Sequence, residues 1–248
     1  MLSIFKTRGA GLPADFSPLG ADMHSHLIPG IDDGVPDLDT ALAMIRGLVE
    51  LGYKKLITTP HIYSDMFPNT PETILPGHKI VAAAIREQNI PVEFHAAAEY
   101  LIDERFERLL DSNMPLLTLK ENFILVELPF VVPAMNLKEI LFKIQMSGYL
   151  PVLAHPERYL YFGANKGWYD QLRDAGCLFQ LNLLSLTGHY GKDSVELAQF
   201  LIKKQYIDLL GTDLHHERHL AMLRSSSSKI LPVVNKLIDS GKIRNAGL

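Results

Sequence analysis

The sequence predicts an α/β protein, a closed or nearly closed barrel of parallel strands with helices around it and its chemistry at one rim. Three observations carry this. Seven apolar, strand-like runs alternate with stretches of helical period or helix-starting chemistry. Five histidines and four carboxylates (His24, His26, Asp33, His61, Glu99, Glu127, His155, Asp213 and His215) lie at or near the ends of those runs. The chain has 248 residues, 47% hydrophobic, which suits one barrel domain of roughly 250 residues.

In chain order the runs are residues 20–26, 55–61, 92–99, 123–128, 150–155, 177–182 and 207–215, and six of them end on or just past a candidate ligand. A helix is predicted after the first, over residues 37–52, because Leu38, Leu42, Ile45 and Val49 recur at helical spacing. Asp37 or Asp39 can cap its start, and Gly52 suits its stop. Further helices are predicted over residues 71–88, 103–111, 136–147, 166–175, 193–204 and 228–239. Short connections such as Gly52 to Lys55 and Ser147 to Leu150 favour parallel strands with right-handed crossovers. The competing architecture, a doubly wound open sheet, gathers its site near one switch point, whereas here nearly every strand contributes a ligand. Residues 1–20 read as an N-terminal extension and residues 21–248 as a single domain.

Bulk properties narrow the partners. The net charge is −4 and no run of lysines or arginines exceeds a pair, which argues against nucleic acid. Cys177 is the single cysteine, so no disulfide framework exists within the chain and a reducing compartment fits. The N-terminal stretch has no apolar block long enough for a signal peptide, and no segment approaches a membrane span. The expectation is a cytoplasmic protein without direct membrane insertion.

His24 and His26 are two residues apart, so in an extended strand both imidazoles point to one side and can hold one metal. Such a pair is common by chance; its weight comes from the repeated placement of His61, Glu99, Glu127, His155, Asp213 and His215 along the chain. A charged Glu127 within an apolar run is costly unless paired or metal-bound. Nitrogen and oxygen donors suit Mn²⁺, Fe²⁺ or Zn²⁺, and the many imidazoles argue against Mg²⁺ or Ca²⁺. Four carboxylates against three divalent ions would leave net positive charge, and Arg158 adds more, so the pocket suits an anion. A phosphate ester spanning the metals and attacked by a bridging hydroxide fits that charge.

The motif series DMHSHLIPGIDDG, TTPHIY, AAAEY, LVELP, LAHPERY and GTDLHH resembles the polymerase and histidinol phosphatase (PHP) superfamily of metal hydrolases. It is most similar there to the manganese-dependent bacterial protein-tyrosine phosphatases of capsule and exopolysaccharide synthesis. The likeness spans about residues 22–220 and implies a distorted (β/α)7 TIM-like barrel with two or three metal ions, manganese first. Phosphotyrosine on the tail of a bacterial tyrosine kinase would be the substrate. By motif position the nine residues above would be the ligands, with Asp33 preferred to the adjacent Asp32, and Arg158 would hold phosphate. A second phosphate-binding arginine follows the last ligand motif in that family; Arg218 is the near match, closer to His215 than the pattern expects. Ala97 stands where a glycine commonly precedes the Ala-Glu pair.

Other residues carry weaker expectations. Asp22 is a candidate partner for the second nitrogen of a ligand imidazole. His78 and His95 are expected to be structural or exposed, His189 to lie in a turn, and His216 and His219 to sit at the surface. Tyr63, Met66 and Phe67 suit either contact with an aromatic leaving group or plain packing. A thiol-based phosphatase needs arginine six residues after its cysteine, and that position after Cys177 is Leu183. The remaining alternatives are a phosphatase of histidinol phosphate or another small ester, and a non-catalytic, metal-containing partner of a kinase.

Overall fold

The computed structural model describes residues 14–112, 114–134 and 136–248. Nine short strands, β1 (Ala21–Asp22), β2 (Lys55–Thr58), β3 (His61–Ile62), β4 (Glu93–Ala96), β5 (Glu99–Leu101), β6 (Phe123–Glu127), β7 (Leu150–Ala154), β8 (Leu178–Asn182) and β9 (Leu209–Gly211), all pair in parallel. They form sheets ordered β1-β2-β4 and β3-β5-β6-β7-β8-β9. The nine reduce to the seven expected staves, because β2 and β3 are one run broken at Thr59-Pro60, and β4 and β5 are one run broken at Ala97-Ala98. Proline cannot donate to a ladder, so a break at Pro60 follows from its chemistry.

The first and last staves meet at a bridge between Ser25 and Leu214. Two backbone hydrogen bonds flank it, His26 N–H to the Leu214 carbonyl at 2.9 Å and Asp213 N–H to the His24 carbonyl at 2.8 Å. Gly211 makes that approach possible: a Cβ there would lie 2.8 Å from the His24 Cβ. One small apolar cluster includes Met23, Ile57, Ala97, Leu125, Val152, Leu178 and Leu209, so every stave contributes to a layer inside the ring. The larger cluster packs the strands against the helices.

The helices are α1 (Leu38–Glu50), α2 (Pro71–Glu87), α3 (Glu104–Asp111), α4 (Leu137–Met146), α5 (Gly167–Asp174), α6 (Lys192–Lys203) and α7 (Glu217–Asp239). Asp37 caps α1 by accepting the Thr40 N–H at 2.8 Å, and Ala41, Leu42, Ile45 and Leu48 form its buried face. The first six lie where the periodicity predicts them. The last differs: α7 begins at Glu217, eleven residues ahead of the predicted start at 228. Serine is a modest helix former, so the Ser225–Ser228 run hid the helix. Its buried stripe of Leu220, Leu223, Ile230, Val234 and Leu237 supplies the stability that propensity lacks.

Of the predicted extension, residues 1–13 lie outside the described residues, while Phe16 and Leu19 are buried in the main core. No helix among the described residues is long and apolar enough to cross a membrane.

Candidate metal centre

Each stave delivers its polar residue at its C-terminal end, and the parallel register sets them side by side. His61 on β3 stands directly opposite Glu99 on β5, and Leu101 on β5 opposite Glu127 on β6. His155 and Asp213 follow β7 and β9 with φ of 31° and 52°, in the left-handed region. Non-glycine residues there are uncommon and cluster where a site constrains the backbone. Asp33 comes from the loop after the first stave, where Gly34 packs so close that a Cβ would lie 2.4 Å from the His26 carbonyl oxygen.

Glu99, fully buried, is the hub of the cluster. Its Oε2 lies 3.1 Å from His24 Nε2, 3.5 Å from His26 Nε2 and 3.1 Å from His61 Nδ1, and its Oε1 lies 3.3 Å from His155 Nε2. Asp213 Oδ1 is 3.4 Å from His24 Nε2 and 3.5 Å from His26 Nε2. Asp33 Oδ1 stands 3.4 Å from both His61 Nε2 and His215 Nε2. Glu127 Oε1 is 3.4 Å from His155 Nε2, and Tyr63 donates its hydroxyl to the other oxygen of Glu127.

Four groups of donors within this cluster could each hold an ion: His26, Asp33, His61 and His215; His24, His26 and Asp213; His24, Glu99 and His155; His61, Glu99 and Glu127. Together they contain all nine sequence-predicted ligands and no other described residue. The residues fit a metal on independent grounds. His26 Nε2, His61 Nδ1 and Glu99 Oε1 are buried polar atoms without a hydrogen-bond partner, a costly condition unless a ligand satisfies them. Donor atoms about 3 Å apart are also what bonds of ~2.1 Å to one ion impose.

The electrostatics agree. Burial opposes ionisation of Glu99, yet His24 and His61 hold its carboxyl well below the usual range. Burial opposes ionisation of Asp213 as well, and His24, His215 and Arg158 hold it far down. Conversely, burial pulls the His61 imidazole down, as does the nearby His26, but the Glu99 and Asp33 carboxylates raise it to about 9. Protons here occupy positions that divalent cations would take.

Neighbouring groups fix the rings. Gln180 Oε1 accepts from His24 Nδ1 at 2.9 Å, which turns Nε2 toward Glu99 and Asp213. Asp32 Oδ2 lies 2.8 Å from His26 Nδ1 and accepts the His61 N–H at 3.2 Å. The two adjacent aspartates therefore divide the work: Asp32 orients His26, and Asp33 faces the donors. The expectation for Asp22 is corrected, because its carboxylate reaches no imidazole. It accepts the Thr212 N–H at 2.9 Å and the Thr212 hydroxyl at 2.7 Å, bracing the first stave to the last. Burial pushes its carboxyl up to about 6.

A cavity of about 440 Å³ opens over this cluster, lined by the donors Asp33, His61, Glu127, His155, Asp213 and His215 and by Tyr63, Met66, Phe67, Phe130 and Tyr190. Arg158 lines it too. Its guanidinium donates to Asp213 Oδ2 at 2.9 Å and lies between two rings, 4.8 Å from the Phe130 centroid and 4.3 Å from that of Tyr190. Asn182 Nδ2 donates both to Asp213 Oδ2 at 2.8 Å and to the Tyr190 hydroxyl at 3.1 Å, locking this side of the cavity. Arg158 spends one of its five donors inside the protein.

Arg218 does not join it. It is exposed at the start of α7 and absent from the lining, whereas His216 and His219 line the cavity. In a helix beginning at Glu217, position 219 turns inward and is buried, and position 218 turns outward. His219 is held down to about 3 by burial and by the nearby His216, so it is neutral at pH 7. His78 bonds the Phe94 carbonyl and His95 faces solvent beside Glu93, both outside the cluster. Sequence reading did not find Gln180, Asn182, Tyr190 or Phe130, whose residue types carry no signal of their own.

A parallel barrel with nine clustered nitrogen and oxygen donors at the C-terminal ends of its strands belongs to the class of metal-dependent hydrolase-type barrels. The chain belongs to the CpsB/CapC family of capsular polysaccharide synthesis, whose pattern matches residues 20–231. It is 27% identical over 195 residues to the tyrosine-protein phosphatase YwqE of Bacillus subtilis, covering 79% of this chain and 77% of the relative. It is 24% identical over 202 residues to the tyrosine-protein phosphatase CpsB of Streptococcus pneumoniae, covering 79% and 82%. Among solved structures, one from a study of YwqE and CpsB, described as unique metal-dependent tyrosine phosphatases, superposes with a TM-score of 0.78 at 26% identity. That likeness covers 87% of this chain and 86% of the other. An amidohydrolase from Mycoplasma synoviae shares the fold, with a TM-score of 0.53 at 13% identity over 93% of this chain and 84% of the other.

Proposed function

We propose that this chain is a metal-dependent protein-tyrosine phosphatase of the cytoplasm, acting on a phosphotyrosine-bearing tyrosine kinase that controls capsular or exopolysaccharide synthesis. One observation carries the reading: nine clustered nitrogen and oxygen donors, six of them lining a cavity whose wall holds a single, aromatic-clamped arginine. The names of the relatives support it.

In this reading His24, His26, Asp33, His61, Glu99, Glu127, His155, Asp213 and His215 hold two or three divalent ions, with Mn²⁺ first and Fe²⁺ or Zn²⁺ as alternatives. Glu99 faces imidazoles with both oxygens and is placed to serve more than one ion. When bound, such ions supply Lewis-acid charge to a phosphoryl group and an activated water nucleophile at neutral pH.

The protein's own side chains do the rest. Arg158 binds a non-bridging phosphoryl oxygen, and its clamp between Phe130 and Tyr190 sets the guanidinium before substrate arrives, which lowers the ordering cost. Tyr63, Phe67 and Phe130 line the same cavity and offer faces and edges to the phenyl ring of the leaving group. Hydrolysis breaks the bond from phosphorus to the phenolic oxygen and forms one to a water-derived oxygen. A phenol of pKa about 10 departs with little protonation, so the reaction makes a small demand on any general acid. Neutral His219 adds a hydrogen-bonding wall without competing for the anion's charge.

The test is phosphate release from a phosphotyrosine peptide by purified protein, stripped with chelator and reloaded separately with Mn²⁺, Fe²⁺ and Zn²⁺. Metal-restored turnover supports the reading and ranks the ions. A protein with measured metal occupancy and no turnover with any of the three would sink it.

A further inference from the structure

Beside the cavity mouth the chain leaves large apolar side chains in solvent. Val131 is 85% exposed, Val132 63%, Met66 72% and Phe130 45%. Singly, exposed apolar residues need no explanation; grouped at one opening they do. Phe130 and Met66 line the cavity itself, and the exposed Val131 and Val132 follow Phe130 directly in the chain.

The Val131-Val132 segment is tied to the site at its base. The Phe130 ring stacks on His155 with centroids 5.8 Å apart and lies 4.8 Å from the Arg158 guanidinium, and the Pro129 carbonyl accepts the Tyr161 hydroxyl at 3.1 Å. Tyr63 and Met66 also line a second groove of about 500 Å³, together with Leu101, Asp103, Glu104 and Arg108. Exposed apolar side chains and a second groove thus both adjoin the cavity lining. A small aryl phosphate in the cavity stops at Phe130, whereas a polypeptide carrying the phosphorylated ring has flanking residues that extend past it to Val131 and Val132.

We propose that the Phe130–Val132 shelf, with Met66, binds apolar side chains of the substrate polypeptide next to its phosphotyrosine. The selected substrates are then segments with leucine-, isoleucine- or valine-like neighbours, not free aryl phosphates. This rests on the phosphatase reading above and adds the sequence preference of the same site. Phosphate capture belongs to Arg158 and the metal ligands; the shelf adds affinity by removing apolar surface from water.

Two measurements separate this from the parent reading. The first compares three substrates with the manganese-loaded enzyme: a phosphotyrosine peptide flanked by leucines, the same peptide flanked by serines, and p-nitrophenyl phosphate. The second measures binding of a leucine-flanked peptide bearing a non-hydrolysable phosphonate in place of phosphate, by fluorescence anisotropy. Both are repeated with the double variant Val131→Ser/Val132→Ser, which alters exposed positions only. The expected result is that the variant loses about tenfold in kcat/KM and in binding for the leucine-flanked peptide, and leaves the serine-flanked peptide and p-nitrophenyl phosphate unchanged. Equal use of the two peptides by the wild type would overturn the inference, as would an equal loss on p-nitrophenyl phosphate, which would mean that the shelf shapes the site rather than the substrate. Shelf-dependent peptide binding without turnover would uphold the inference and bring down the phosphatase reading.

Discussion

The two ends of the barrel treat buried polar side chains in opposite ways. Where the strands begin, the buried amide and carboxylate groups are matched within the protein, although the Tyr53 hydroxyl is not. Asn245 is fully buried, yet its Oδ1 accepts the Leu210 N–H at 2.9 Å and its Nδ2 donates to the Ala21 and Leu210 carbonyls at 3.0 and 2.7 Å. Asp208 accepts the Phe179 N–H at 2.9 Å and pairs with Arg173. Where the strands end, His26 Nε2, His61 Nδ1 and Glu99 Oε1 are buried in one cluster without hydrogen bonds. A core tolerates such a deficit only when something outside the chain offsets it. Amide and carboxylate residues at the first end therefore hold the fold, and the clustered donors at the second are placed to hold ions.

The largest expected effect tests that division directly. Glu99→Gln keeps the shape but removes the charge that faces four imidazoles, and phosphate release should fall at least a thousandfold, equivalent to ~4 kcal/mol of lost transition-state stabilisation. Asn245→Ala should do the reverse, lowering unfolding free energy by about 2–3 kcal/mol through lost buried hydrogen bonds while leaving kcat per folded molecule unchanged. Urea unfolding and turnover measured on both variants check the pair. If Asn245→Ala depressed kcat in folded protein as Glu99→Gln does, the two ends would not be separate.

Arg158→Lys comes next. A lysine ammonium keeps the charge but loses the planar stacking between Phe130 and Tyr190 and the forked geometry toward phosphoryl oxygens. A drop of about a hundredfold in kcat/KM for p-nitrophenyl phosphate is expected, with thermal stability nearly unchanged. Tyr190 acts through that arginine as a positioning residue. Tyr190→Leu should raise KM by roughly tenfold with a smaller change in kcat, while Tyr190→Phe, which keeps the ring, should restore most of the loss. A phenylalanine no better than leucine would show that the Tyr190 hydroxyl, through Asn182, does the positioning.

Much of this was legible in the sequence because metal ligands are rare residue types repeated at strand ends. His61, Glu99 and Glu127 each interrupt or finish an apolar run, and that pattern survives without coordinates. The seven staves and six of the helices were legible for the same reason, since periodicity reports which face is buried. What escaped reading depends on direction rather than type. Asp22 and Asp32 look alike in sequence; only the turn at Gly34 aims Asp32 at His26, and only the pairing of first and last staves aims Asp22 at Thr212. Arg218 and His219 exchange their expected places because α7 starts early enough to set its phase there. Arg218→Ala is accordingly expected to change kcat/KM less than twofold, within the range of an exposed substitution.

Cys177, just ahead of β8, is expected to have no effect on turnover and sharpens the comparison from the apolar side of the first end. It is buried in the main core, and burial raises its thiol to about 12. A thiol this protonated is no nucleophile at neutral pH, so Cys177→Ala should retain full turnover and the wild type should resist iodoacetamide until it unfolds. Its consequence is confined to alkaline stability. The folded protein holds this proton more tightly than the unfolded chain does, so the stabilisation is complete below about pH 9 and falls as the pH rises toward about 12. Between pH 9 and 10.5 the wild type should therefore lose roughly 2 kcal/mol more than Cys177→Ala in urea unfolding. Buried tyrosines such as Tyr159 and Tyr190 also resist ionisation, but they are common to both proteins and cancel in the difference. Parallel pH profiles for the two proteins would mean that the thiol ionises as freely in the folded state as in the unfolded one, and that the core around Cys177 admits water.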